Sequence, residues 1–177
     1  MRRVGSRTVR LVVDASVARA AGNPNADGGG GAVVSAFLIH LRKTKMSIVF
    51  SRALTAEWDK HQSGFARKWR LSMVASRRLH GSDVAEHTVL RQRIENLDED
   101  GRCRNAMRKD AHLVELAMHE SERIVALDEE ARGCFSGLVP MHPPLGGIVW
   151  VNPMKPADAA GEWLDQGAPK RRKLLLG

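Results

Sequence analysis

A chain of 177 residues, 43% of them hydrophobic, is long enough for one compact domain with a substantial core. Its 28 Lys and Arg against 20 Asp and Glu give a net charge of +8, half of it in the run Lys170, Arg171, Arg172 and Lys173, and such a positive surface suits a polyanion partner. Cys103 and Cys134, without Cys-x-x-Cys spacing, suggest neither a disulfide framework nor a zinc site, and no apolar run reaches the roughly 7–15 residues of a signal peptide or the roughly 18 of a membrane span; a cytoplasmic chain with no membrane partner is expected.

Residues 9–13 predict the first strand, short and β-branched, and it runs straight into Asp14. The segment 22–31 contains four consecutive glycines but lacks the Gly-Lys-Ser/Thr ending of a phosphate loop, so it reads as a flexible connector. Val33, Phe37 and Leu41, four apart, predict a helix over 32–41, and 46–50 is the next strand. Leu54, Trp58, Phe65, Trp69 and Met73 predict a helix over 54–73, with Gly64 as a break or kink and both tryptophans in the core or an interface. Ser82 is a candidate cap for a helix over 82–97, and Met107, Ala111, Val114, Leu116 and Met118 give another over 105–121. Strands follow at 123–127 and 147–151, the latter burying Trp150. Past Pro153, prolines, glycines and basic residues predict an extended tail over 154–177, outside a domain covering 1–153. Strands alternating with helices indicate an α/β fold, a three-layer α/β/α arrangement with a mainly parallel central sheet of four to five strands.

In a parallel sheet, ligands bind beyond the carboxyl ends of the strands. Asp14 sits there after the first strand, and Asp128 sits there after 123–127. Glu57 on the helix after the second strand and Asp110 on a later helix are placed to reach the same edge. Taken singly, each aspartate is explained as a helix cap. Four carboxylates gathered together repel and raise one another's pKa unless a cation joins them, and hard oxygen donors favour Mg²⁺ or Mn²⁺. His112, His119 and His142 show no zinc pattern and read as ordinary surface or core histidines.

The stretches "VVDASV", "LTAEW", "KDAHLVELA" and "RIVALDEEAR", in that order between about Val9 and Asn152, resemble the PIN-domain nucleases. The resemblance implies that Asp14, Glu57, Asp110 and Asp128 are the catalytic, metal-binding acids, that Glu130 replaces or assists one of them, and that the Ser16 hydroxyl orients a carboxylate or water. It departs from the family in its long glycine-rich connector, its long charged region 67–104, and its Leu-Asp-Glu-Glu ending after residue 126. The implied activity is a metal-dependent endoribonuclease, in which Mg²⁺ or Mn²⁺ activates water for attack on an RNA phosphate. Some small PIN proteins are toxins paired with an antitoxin, so an antitoxin protein and a homodimer are the partners implied besides RNA.

Arg42, Lys43 and Lys45, then Arg67, Lys68 and Arg70, and the run Lys170, Arg171, Arg172 and Lys173 are the candidate RNA contacts; the bland alternative for each is a solvated surface charge. Two other functions compete. One is a catalytically silent PIN-like module that binds RNA or protein, against which all four acids are present. The other is a phosphatase with Asp14 as nucleophile, against which Ser16 stands where a second Asp is usual.

Overall fold

The computed structural model describes residues 8–22, 29–97 and 101–177. Five strands form one sheet: β1 (Arg10–Val13), β2 (Ser47–Phe50), β3 (Leu79–Gly81), β4 (Arg123–Val125) and β5 (Val149–Val151), in the order β3-β2-β1-β4-β5, every pair parallel. Leu11, Val12, Val13, Ile48, Val49, Ile124, Val125 and Trp150 are fully enclosed, as the near-continuous apolar strands of a parallel sheet covered on both faces must be.

Eight α-helices accompany the sheet among the described residues: α1 (Ala15–Ala20), α2 (Gly30–Lys43), α3 (Arg52–His61), α4 (Gly64–Ala75), α5 (Thr88–Glu95), α6 (Gly101–Glu120), α7 (Glu129–Leu138) and α8 (Ala160–Asp165). The chain steps from β1 to β2 to β3 in one direction, then returns across β1 to β4 and β5. Right-handed crossovers therefore send α1 to α4 to one face and α5 to α7 to the other, consistent with three α/β/α layers. The reversal between β1 and β4 leaves a crevice beyond their carboxyl ends.

Several expectations are corrected. The helix expected over 54–73 is two helices, because Ser63 caps α4 by accepting from Ala66 N at 3.1 Å and restarts the helix just before Gly64. The helix expected over 82–97 begins only at Thr88, with His87 as its cap. Ser82 is bonded elsewhere, donating to Glu120 Oε1 at 2.6 Å. The three-residue edge strand β3 and the short helices α1 and α7 were not anticipated. Most of the glycine-rich connector, 23–28, lies outside the described residues.

The segment 154–177 is not an extended tail. It carries α8, a 3₁₀ turn at Arg172–Leu174 and a bridge from Leu175 to Val149, and it buries Trp163, Leu164, Ala168, Leu174 and Leu176. Leucines 174 and 176 are the reason: an apolar ending beside a basic run gives the segment something to bury.

Cys103 on α6 and Cys134 on α7 are joined by a disulfide, with Cα atoms 5.5 Å apart. The two cysteines are far apart in sequence and meet only because α6 packs on α7. The bond runs against the reducing cytoplasm expected from cysteine usage, where structural disulfides are rare. No helix among the described residues is long and apolar enough to cross a membrane.

Candidate active site

The crevice beyond β1 and β4 is where the acidic residues gather. Asp14 follows β1 directly; its backbone N–H donates to Val125 O of β4 at 2.9 Å, and its Oδ2 accepts from Ser16 N at 3.0 Å, capping α1. Asp128 caps α7 in the same way, Oδ1 accepting from Ala131 N at 2.9 Å. Both aspartates are helix caps and crevice residues at once, because an N-cap spends one carboxylate oxygen and leaves the other.

Glu57 reaches the crevice from α3 and lines a small cavity of about 90 Å³ with Asp14, Ser16, Arg19, His61 and Lys109. Its helix is anchored to β1: Trp58 donates its indole N–H to Val13 O at 2.8 Å. Asp110, mid-way along α6, is 3% exposed, and its Oδ2 is buried with no hydrogen-bond donor. Burial and then the neighbouring Asp14 charge, with lesser contributions from Asp128 and Glu57 and against the opposing Lys109, push the Asp110 carboxyl up to about 7. Asp14, Asp128 and Glu57 are thus all within electrostatic reach of Asp110.

Lys109 is the cation among them. Its Nζ lies 3.3 Å from Asp128 Oδ2 and 3.6 Å from Asp110 Oδ1. Burial lowers its pKa, but the Asp110, Asp128 and Asp14 charges outweigh this and hold the ammonium above its ordinary value. Among the described residues, no group of three or more His, Cys, Asp and Glu side chains stands ready-made to enclose a metal ion. The donor chemistry nonetheless suits a hard divalent cation: carboxylate oxygens, one of them buried and unpartnered.

Ser16 and Glu130 stand differently to the four acids. Ser16 orients Asp14 through its backbone N–H, while its hydroxyl accepts from Leu127 N at 3.1 Å and ties α1 to the loop after β4. Glu130 is exposed and pairs with Arg102, outside the four-acid group.

A larger cavity of about 760 Å³ adjoins the acids, lined by Arg52 and Ala56 of α3, Glu86, Arg91 of α5, and His112 and Glu115 of α6. Buried Glu115 holds its far wall, accepting from Arg91 Nε at 2.7 Å, Arg91 Nη2 at 2.8 Å and His87 N at 2.8 Å. His112 joins the two cavities, its Nε2 standing 3.3 Å from Glu57 Oε2 but too poorly aligned for a hydrogen bond.

The nominated basic residues are scattered. Lys43 and Lys45 precede β2 and line a cavity of about 720 Å³ at the amino ends of the strands, away from the acids. Arg42 donates to Ser72 Oγ at 3.1 Å; Arg70 donates to Asp59 Oδ1 at 2.6 Å and lies over the Phe50 ring. Arg67 and Lys68 are exposed on α4. Lys170 pairs with Glu122, Arg171 with Glu162, and Lys173 donates to Ala157 O; Arg172 is exposed.

The basic groups that line the small cavity with the acids are Lys109, Arg19 and His61, which come from α6, α1 and α3 and belong to none of the nominated basic runs. Comparison of the chain with family models, with curated proteins and with solved structures gives no match.

Proposed function

We propose that the chain is a PIN-type, metal-dependent endoribonuclease, with Asp14, Glu57, Asp110 and Asp128 binding Mg²⁺ or Mn²⁺. The observation that carries this reading is the buried, donorless Oδ2 of Asp110, on a carboxyl group that feels the charges of Asp14, Asp128 and Glu57 near the sheet's switch point. Burying mutually repelling carboxylates is costly, and a cation removes the cost. A divalent ion held there supplies an activated water and charge to balance a phosphodiester.

The protein's own part is positioning. Capping fixes the Asp14 and Asp128 carboxylates, the Trp58 indole fixes α3 against β1, and Ser16 ties the two strand ends together. The adjoining cavity, with Arg52, Arg91 and His112 on its walls, gives the RNA chain room beside the acids. In this reading a small antitoxin protein covers the acidic crevice, and pairing of two copies is a further expectation.

Purified protein should cleave RNA with Mn²⁺ and stop when EDTA is added. Cleavage that persists in EDTA, or full activity in Asp14→Asn, would overturn the proposal. One observation favours a second reading, a silent RNA- or protein-binding module: the ammonium of Lys109 already neutralises part of the cluster. Binding of RNA without Mn²⁺-dependent cleavage would select it.

A further inference from the structure

Lys109 and Asp110 are adjacent on α6, so their side chains leave the helix about 100° apart. The Lys109 head nevertheless bends back toward the acids, to 3.6 Å from Asp110 Oδ1 and 3.3 Å from Asp128 Oδ2. Its side chain is 66% exposed, so what is held is the ammonium and not the stem. The oxygens it meets belong to two different helices, α6 and the cap of α7.

A divalent ion bridging the same pair would need both oxygens at about 2.1 Å. The ammonium and such an ion would therefore compete for one place. Asp128 Oδ1 already accepts from Ala131 N at 2.9 Å, so its Oδ2 is the oxygen that Lys109 meets. The buried Oδ2 of Asp110 accepts no hydrogen bond, the cap uses only Oδ2 of Asp14, and Glu57 has His112 Nε2 3.3 Å from its Oε2.

We propose that Lys109 is a built-in cation at the Asp110–Asp128 pair, so that the crevice takes one divalent ion and not two. The inference rests on the metal-binding reading above and deepens it by fixing the number of ions.

Counting ions tests it. Full-length protein is titrated with Mn²⁺ and bound metal followed by electron paramagnetic resonance or calorimetry, alongside Lys109→Gln and Lys109→Arg. With so exposed a side chain, folding should survive both changes, and circular dichroism checks that it does. One ion is expected for the starting protein and for Lys109→Arg, and two for Lys109→Gln. With RNA present, cleavage should rise with the first power of Mn²⁺ concentration in the starting protein, while the Lys109→Gln protein should follow the second power. Two ions in the starting protein, or one in Lys109→Gln, overturn the inference and leave the metal-binding reading intact. No Mn²⁺ bound by any of the three overturns both.

Discussion

The indole N–H of Trp58 is bonded to the carbonyl of Val13, the residue immediately before Asp14, at 2.8 Å. Neighbouring residues on each side of that bond, Glu57 and Asp14, are two of the four crevice acids, so one buried hydrogen bond sets the spacing between their elements. The ring is fully enclosed and packs against Phe50 and Trp69, with centroids 5.0 and 6.0 Å away. Trp58→Phe keeps an aromatic ring but removes the donor. It should cost about 1–3 kcal/mol, read as a lower melting temperature, and weaken Mn²⁺ binding as α3 loosens against β1.

Asp14 has two jobs that substitution separates. Asparagine caps a helix as well as aspartate does, whereas alanine loses about 1 kcal/mol at an N-cap. Asp14→Asn should therefore melt close to the starting protein while RNA cleavage falls on the order of 100-fold. Asp14→Ala should lose cleavage and also the cap. If Asp14→Asn loses stability as severely as cleavage, the residue is structural alone.

Asp110 contributes a pH dependence of stability in the absence of metal. Its carboxyl titrates at about 7 in the fold against 3.8 ordinarily, so between those values the folded chain holds a proton that the unfolded chain has released. Stability accordingly falls as pH rises from about 4 to about 7, by up to about 4 kcal/mol for this group alone. Asp110→Asn removes the charge and should be more stable than the starting protein at pH 8, with a flatter profile. Thermal melts in EDTA across that range check the sign, and saturating Mn²⁺ should restore much of the loss by binding only the folded state.

The strands were legible because four of the five are apolar runs whose ends are marked by charge, proline or glycine. β3 was not, since Leu79, His80 and Gly81 form a half-exposed edge with no apolar run to announce it. Asp14 and Asp128 were legible as crevice residues from strand ends alone, but their capping looked like a rival explanation; in the structure a carboxylate's two oxygens serve both. Lys109 adjoins Asp110 in sequence, but its reach to Asp128 and its meeting with Arg19 and His61 were not legible, because only the packing of α1, α3 and α6 around one crevice brings these charges together. The basic clusters of the sequence lie apart from the acids: Lys43 and Lys45 stand at the opposite end of the sheet, and Lys170 and Arg171 are paired with Glu122 and Glu162.

The Cys103–Cys134 bond closes a loop across 31 residues that contains Asp110 and Asp128. Loop-closure entropy at that length corresponds to about 3–4 kcal/mol. Protein purified without reductant should show no free thiol, and reduction should lower its melting temperature by roughly 10 °C. Cys103→Ser with Cys134→Ser should melt like the reduced protein. An unchanged melting temperature on reduction would show that packing of α6 on α7 suffices without the bond.

Truncation after Pro169 separates the two views of the chain's last residues. Leu174 and Leu176 are enclosed, and Leu176 N donates to Ile148 O at 3.0 Å, so the ending is held to the sheet by apolar burial and by backbone pairing beside β5. Two leucines at about 1.5–3 kcal/mol each make the loss on the order of 3–6 kcal/mol, a large part of the stability of an ordinary domain. The truncated protein should melt well below the full chain or fail to accumulate in soluble form. Replacing Lys170, Arg171, Arg172 and Lys173 together with glutamine leaves the leucines in place and asks only about charge. Because Lys170 and Arg171 already face Glu122 and Glu162, and Lys173 a backbone carbonyl, RNA affinity in that variant should keep nearly the same slope against salt. A slope reduced by three or four would instead return the basic run to the RNA interface.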